Sequence, residues 1–320
     1  MNHAAPLAAG LALVALPLVL PDFWMFIGVE VLAFALYAVS FNLLLGYGGM
    51  LSFGHAAFFG AGGYAAALVA AQRSLPLPLM LVLVPAAAML TAGAAAVLIG
   101  LFSVRRAGIY FAMLTFAFQM LLYTIALKAT SLTGGDDGLT GLKLPGAIGR
   151  PVGYYYFALA LTAAGLYVLH RLVHSPFGAT LRALRANALR VQYLGVDVRA
   201  HRLAAFVASG AFSGLAGALF ALSSGNVFPG WLNWTASATP VVMAVLGGTA
   251  TFFGPALGAA VYVVLEVVIS GHTEYWPLTM GVVITILVLL APGGLTGLWK
   301  TGFGRARASR AVPLSTGEAR

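Results

Sequence analysis

The feature that most constrains this chain is a succession of apolar runs of bilayer length, joined by connections that hold most of its charge. Roughly 20 apolar residues cross the hydrocarbon as a helix. No water reaches a backbone there, so each run must close its hydrogen bonds within itself. The runs are Leu7–Leu20, Phe23–Leu45, Phe53–Ala71, Pro78–Phe102, Gly108–Leu127, Gly153–Leu172, Leu203–Ser223, Trp234–Gly247, Pro255–Ser270 and Tyr275–Ala291. The first and eighth are short, so about eight to ten crossings are expected. Leu7–Leu20 has neither a preceding Lys or Arg nor a closing small-x-small site, and reads as a short membrane segment rather than a signal peptide. Only 8% of residues are charged, against about 25% in soluble domains. The expected fold class is an all-α polytopic integral membrane protein. Residues 1–299 form one transmembrane domain, and 300–320 a basic tail expected to be disordered.

Charge sets the orientation. The net charge of +9 would suit nucleic acid were it spread over one face, but it clusters between apolar runs, as the positive-inside rule requires. With Arg105-Arg106 and the connection Arg171 to Arg202 facing the cytoplasm, that side and the tail hold 13 of the 17 Lys and Arg. Arg73, Lys128, Lys143 and Arg150 fall outside. Phe23-Trp24, Tyr154-Tyr155-Tyr156, Trp231, Trp234 and Tyr275-Trp276 mark the outer boundary as an aromatic belt.

One stretch breaks the pattern. GYGGMLSFGHAAFFGAGGYAAALVA, 46–70, is apolar enough to span, yet Gly46, Gly48 and Gly49 interrupt its helix at about 1 kcal/mol each relative to Ala. Gly-broken segments at membrane depth point to a transport site, so Gly48, Gly49, Ser52, Phe53, Gly54 and His55 are expected along a translocation pathway near the midplane. Close helix packing is the competing reading. A second break, Gly247-Gly248 with Phe252-Phe253-Gly254, echoes the first and suggests an internal repeat. His55, Glu30 and Glu266 are ionisable groups inside apolar runs. His55 is read equally as a functional group or as a neutral partner of backbone near a helix capped by Ser52. Gly210-x-x-x-Gly214 and Ser213-x-x-x-Gly217 signal close helix contacts.

Two connections stand out. In 174–202, Ser175-Pro176 suits a helix start, Leu181, Leu184, Leu189 and Leu194 suggest one apolar stripe, and Gly195 suits a helix stop. The plain reading is a solvated basic loop on the positive-inside pattern; the regular leucines favour a short amphipathic helix, which lies on lipid or in a partner's groove. In the outer loop, 129–152, Asp136 and Asp137 sit among glycines, as turn residues or as an acidic mouth for a cationic group. There is no G-x-x-x-x-G-K-[ST], H-E-x-x-H or G-x-S-x-G, and Gly60, Gly62 and Gly63 follow no strand, so no nucleotide, zinc or hydrolase motif is present. No cysteine exists to ligate a metal.

GYGGMLSFGHAAFFGAGGYAAAL, GIYFAMLTFAFQML, TGGDDGLTGL, SPFGATLRALRANALRVQYLGVD, LAAFVASGAFSGLAGALFAL, VLGGTATFFGPALGA and LLAPGGLTGL, in this order, resemble the M-type permease subunits of bacterial ABC importers for branched-chain amino acids. The resemblance covers about residues 25 to 298. It implies a bacterial inner-membrane protein that is no enzyme and binds no cofactor, with ATP and Mg left to two partner ATPases. A homologous second permease, a periplasmic or extracellular solute-binding protein and membrane lipid are the other implied partners, and no nucleic acid. It also implies that Ala186 to Val196 forms a coupling helix, with Ala186, Asn187, Leu189, Arg190, Tyr193, Leu194 and Gly195 at the ATPase contact. That family often has Glu where this chain reads Arg185-Ala186-Asn187-Ala188-Leu189. Related permeases carry urea, amides or aromatic acids. The rival expectations are an ion-gradient carrier, which would need an ionisable relay, and a membrane-embedded enzyme, for which no nucleophile–base or metal set assembles.

Overall fold

The computed structural model describes residues 14, 16–18, 21–72, 75–142, 144, 146–290 and 293–297. Most of the Leu7–Leu20 run and all of the 300–320 tail lie outside them. Among the described residues the main helices, besides a single turn at Thr130–Thr133, are α1 (Asp22–Asn42), α2 (His55–Ala70), α3 (Leu77–Ser103), α4 (Ile109–Lys128), α5 (Pro151–Val173), α6 (Pro176–Ala186), α7 (Ala188–Tyr193), α8 (Val198–Ser224), α9 (Trp234–Gly247), α10 (Gly254–Ser270) and α11 (Trp276–Leu290). Six spans are long and apolar enough to cross a bilayer, α3, α4, α5, α8, α1 with its continuation to Tyr47, and the stretch Trp276–Gly297 that begins with α11, and α2, α9 and α10 are shorter apolar helices. All nine coincide with runs expected from sequence.

The ends follow local chemistry. α1 starts after Pro21 with Asp22 in its first turn, where a carboxylate meets the positive end of the helix dipole. It continues through a widened turn, Leu43–Tyr47, in which Gly48 N–H reaches back five residues to the Leu43 carbonyl at 3.2 Å. Such π-type turns are rare and gather at functional sites.

α8 is the axis of the bundle. α1, α2 and α3 pack on it, and small residues make the approach possible. A Cβ on Gly217 would strike the Phe59 carbonyl, and one on Gly62 the Gly214 backbone. Gly214 and Gly210 face Ala92 and Ala96 of α3. The small-residue spacing in α8 is therefore a packing device, as expected for helices that gain little from hydrophobicity inside lipid. Phe58, Phe206, Phe111, Leu36 and Leu169 are fully buried around this axis. A second layer, α9 and α10, packs on α1 through Ile27, Ala35, Ala38, Met243, Ala259 and Val263.

One addition escaped the sequence pattern. The connection between α4 and α5 contains strand β1 (Leu139–Thr140), which pairs antiparallel with β2 (Asn226–Val227) after α8, Leu139 opposite Val227. Leu142 N–H also donates to the Gly225 carbonyl at 2.9 Å. The loop between α4 and α5 is thus tied to the end of the central helix.

Candidate functional site

The glycine break lies at the far end of the 26-residue stretch Asp22–Tyr47. That is some 39 Å of helix at 1.5 Å per residue, more than the hydrocarbon thickness. It packs against the basic connections. Arg185 donates through Nη1 to the Gly46 carbonyl, its side-chain stem crosses Gly49, and the Arg182 guanidinium lies 6.0 Å over the Tyr47 ring, within cation–π range. The break is therefore at the basic end of α1, not at its middle. Gly49 holds φ +66°, a left-handed conformation that costs other residues about 1 kcal/mol or more. Gly48, Gly49, Met50, Arg106, Gly108 and Phe111 help to enclose a cavity of about 100 Å³.

Beyond the break, α2 is held by polar side chains from three other helices. Phe53 N–H donates to Thr115 Oγ1 of α4 at 3.2 Å. Ala56 N–H, in the first turn of α2, donates to Ser237 Oγ of α9 at 2.9 Å, and Ser237 donates on to Gln119 Oε1 at 3.0 Å. Ser52, expected as the cap, instead accepts from Gly54 N–H at 3.2 Å. The cap is supplied by another helix because Gly54 at the N-cap position has no side chain to offer.

His55 has no exposed area. Its Nε2 lies 2.8 Å from Ser209 Oγ of α8, and Ser209 donates its one hydroxyl proton to the Ser40 carbonyl at 2.6 Å. With the Ser209 hydroxyl directed at Ser40, its oxygen is free to accept from a proton on His55 Nε2. Nδ1 has no partner among the described residues, while Phe41, Phe58 and Phe206 ring the imidazole edge-on at 4.9, 5.7 and 6.3 Å. Ser40 continues the chain to Ser213 at 2.9 Å. Of the six residues expected on the pathway, Ser52, Gly54 and His55 are buried in this conformation, Phe53 is half-buried, and Gly48 and Gly49 border the cavity. Thr115, Gln119, Ser209 and Ser237 were missed as site residues, although polar side chains inside apolar runs are themselves a signal.

The second break lies beside the first, with Asn42 Nδ2 donating to the Thr249 carbonyl at 3.3 Å. Gly248 holds φ +103°, matching the left-handed Gly49. The first break joins α1 to α2, and the second joins α9 to α10.

Connection 174–202 folds as two helices with a sharp corner at Asn187, φ −160° and ψ 99°. The corner splits the leucine stripe expected from sequence. Leu181 and Leu184 turn inward and are buried, whereas Leu189, Tyr193 and Leu194 are 66%, 89% and 81% exposed. Asn187 Oδ1 accepts from Arg190 N–H at 3.1 Å, and Gly195 at φ +83° ends the helix. Ala186 and Arg190 are exposed. At the opposite end, Asp136 and Asp137 are exposed in a 3₁₀ turn. No group of three or more metal-ligating side chains occurs among the described residues.

The profile of the family described as "Branched-chain amino acid transport system / permease component" matches residues 25–292. The high-affinity branched-chain amino acid transport system permease protein LivM of Escherichia coli K12 is 29% identical over 289 residues, 82% of this chain and 67% of that protein. A probable branched-chain amino acid transport permease protein LivM of Methanocaldococcus jannaschii is 30% identical over 42% of this chain and 41% of its own length. The autoinducer 2 import system permease protein LsrC of Klebsiella pneumoniae is 35% identical over 44% of this chain and 40% of its own. No solved structure matches. The chain, a multi-pass α-helical membrane protein, belongs to the permease-component family of branched-chain amino acid transport systems.

Proposed function

We propose that the chain is the membrane-spanning subunit of an ATP-driven importer that moves branched-chain amino acids, or a related small solute, inward by alternating access. The observation that carries this reading is the ridge on α7, where Leu189, Tyr193 and Leu194 stand exposed on a capped, Gly-terminated helix at the basic end. A chain without a nucleotide motif must receive its free energy through such a surface, and apolar and aromatic anchors dominate contacts of this kind. ATP and Mg belong, on this reading, to two separate ATPase subunits. A homologous second permease and an outer solute-binding protein complete the assembly in a bacterial inner membrane. α6 links the ridge to the glycine break, since Leu181 is buried beneath it and Arg185 binds Gly46. Partner ATPases can shift inward and outward states only by binding them unequally, and this linkage gives them an element to move.

An ion-gradient carrier is the weaker reading, because the family description is that of one component in a larger system. Co-purification from native membranes tests the choice. Leu194→Asp should lose the ATPase subunits and uptake while the chain stays in the membrane, and Arg190→Ala should be milder. Normal transport and co-purification by Leu194→Asp would remove α7 from the coupling contact. We assign the route to Gly48, Gly49, Ser52, Phe53, Gly54 and His55, with the break as its moving part. Gly49→Leu should abolish uptake at unchanged membrane level, and normal uptake would refute the assignment.

A further inference from the structure

At the basic end a cleft of about 540 Å³ is lined by residues of α3, α4, the turn between them and the start of α8. Its lining divides by chemistry. Phe102, Leu114 and Phe118 form an apolar wall, and Arg105, Arg106 and Arg199 form a cationic rim. The rings of Phe102 and Phe118 pack at 5.7 Å, and Phe102 is 57% exposed. An adjoining hollow is lined by Arg105 and Arg199 again, together with Arg202, whose Nε is buried without a partner among the described residues. Asp197 also lines that hollow and is the only acid in the connections 103–108 and 174–202. Its carboxylate is committed to capping α8, accepting from Arg199 N–H at 2.9 Å and Ala200 N–H at 3.1 Å.

The positive-inside rule explains arginines on this side, but not their convergence with two phenylalanines on one cleft between spanning helices. A cation in the first turn of α8 also opposes the helix dipole, which favours an anion there. We propose that this cleft holds an anionic phospholipid of the leaflet on the basic side, its phosphodiester on Arg105, Arg106 and Arg199 and its acyl chain along Phe102, Leu114 and Phe118. Basic pockets between membrane helices recognise headgroups by this charge complementarity. An acidic loop of a partner protein would satisfy the guanidiniums but leave the aromatic wall bare, so the lipid fits the whole lining. Arg106 lines both this cleft and the cavity at Gly48 and Gly49, which sets the lipid beside the glycine break.

The test is native mass spectrometry of the purified full chain equilibrated with equal amounts of phosphatidylglycerol and phosphatidylcholine in mixed micelles. Wild type should retain phosphatidylglycerol preferentially, and losing one rim arginine should weaken that preference about fivefold. The double variant Arg105→Gln/Arg199→Gln should abolish it. If that variant does not fold, Arg106→Gln, in an exposed turn, serves instead. No preference in wild type, or an undiminished one in the variants, overturns the proposal. Variants that keep the lipid preference but lose co-purifying ATPase subunits would overturn it too, by assigning the rim to a protein partner.

Discussion

His55 and Ser237 show how few polar side chains hold the broken segment in place. Ser209 Oγ pairs with the imidazole and donates to the Ser40 carbonyl, so removing its hydroxyl strands the imidazole nitrogen in a dry interior. A buried donor or acceptor left unmet costs about 1–3 kcal/mol. Ser209→Ala should therefore lower the melting point of the detergent-solubilised protein clearly. Ser237→Ala, which removes the cap of α2, should cost about 0.5–2 kcal/mol. Thermal unfolding of the two single variants and the double variant measures both. Full stability in Ser209→Ala would mean that the relay carries no structural load. Sequence pointed to His55 as the polar residue of this segment but not to its partners. Ser209 lies 154 positions away and Ser237 181 from the groups they bind, and nothing in a single chain reports such pairings. It misread Ser52 for the same reason, since a nearby serine is the default cap until tertiary structure offers a better one.

Among elements, the spanning helices were legible nearly to the residue because lipid leaves an apolar run only one way to satisfy its backbone. Their wet ends were less so. α8 begins at Val198, five residues before the apolar run, because Asp197 caps it there and hydropathy carries no record of capping. The pair α6 and α7 was misread as one stripe because Leu181, Leu184, Leu189 and Leu194 fit a helical repeat, and only the corner at Asn187 divides them. β1 and β2, two residues each, are too short to show alternation. The division of the stripe yields a paired prediction. Leu184, 4% exposed, supports the break from beneath, so Leu184→Asp should reduce the amount of folded protein in the membrane. Leu194, 81% exposed, should tolerate Asp with normal folding and fail only in partner binding. Equal membrane levels for both variants, by fluorescence-detected gel filtration, would contradict the inward and outward assignment.

For the whole molecule, the decisive property is its sidedness, on which the coupling, lipid and pathway assignments all depend. Two independent patterns agree on it. Charge places Arg105, Arg106 and the 174–202 connection together, and the fold brings them to one end, around the glycine break and the start of α8. The aromatic and acidic features gather at the other end, where β1 and β2 tie the turn carrying Asp136 and Asp137 to the top of α8. Positive-inside asymmetry then predicts that the arginine end faces the cytoplasm. The chain contains no cysteine, so single replacements report without background. Asp137 and Ala186 are both exposed, and neither side chain makes a contact that holds its element. Asp137→Cys in intact cells should react with a membrane-impermeant thiol reagent. Ala186→Cys should react only after the membrane is permeabilised. If Ala186→Cys labels from outside and Asp137→Cys does not, the molecule is inverted, and the α7 ridge faces away from any source of ATP.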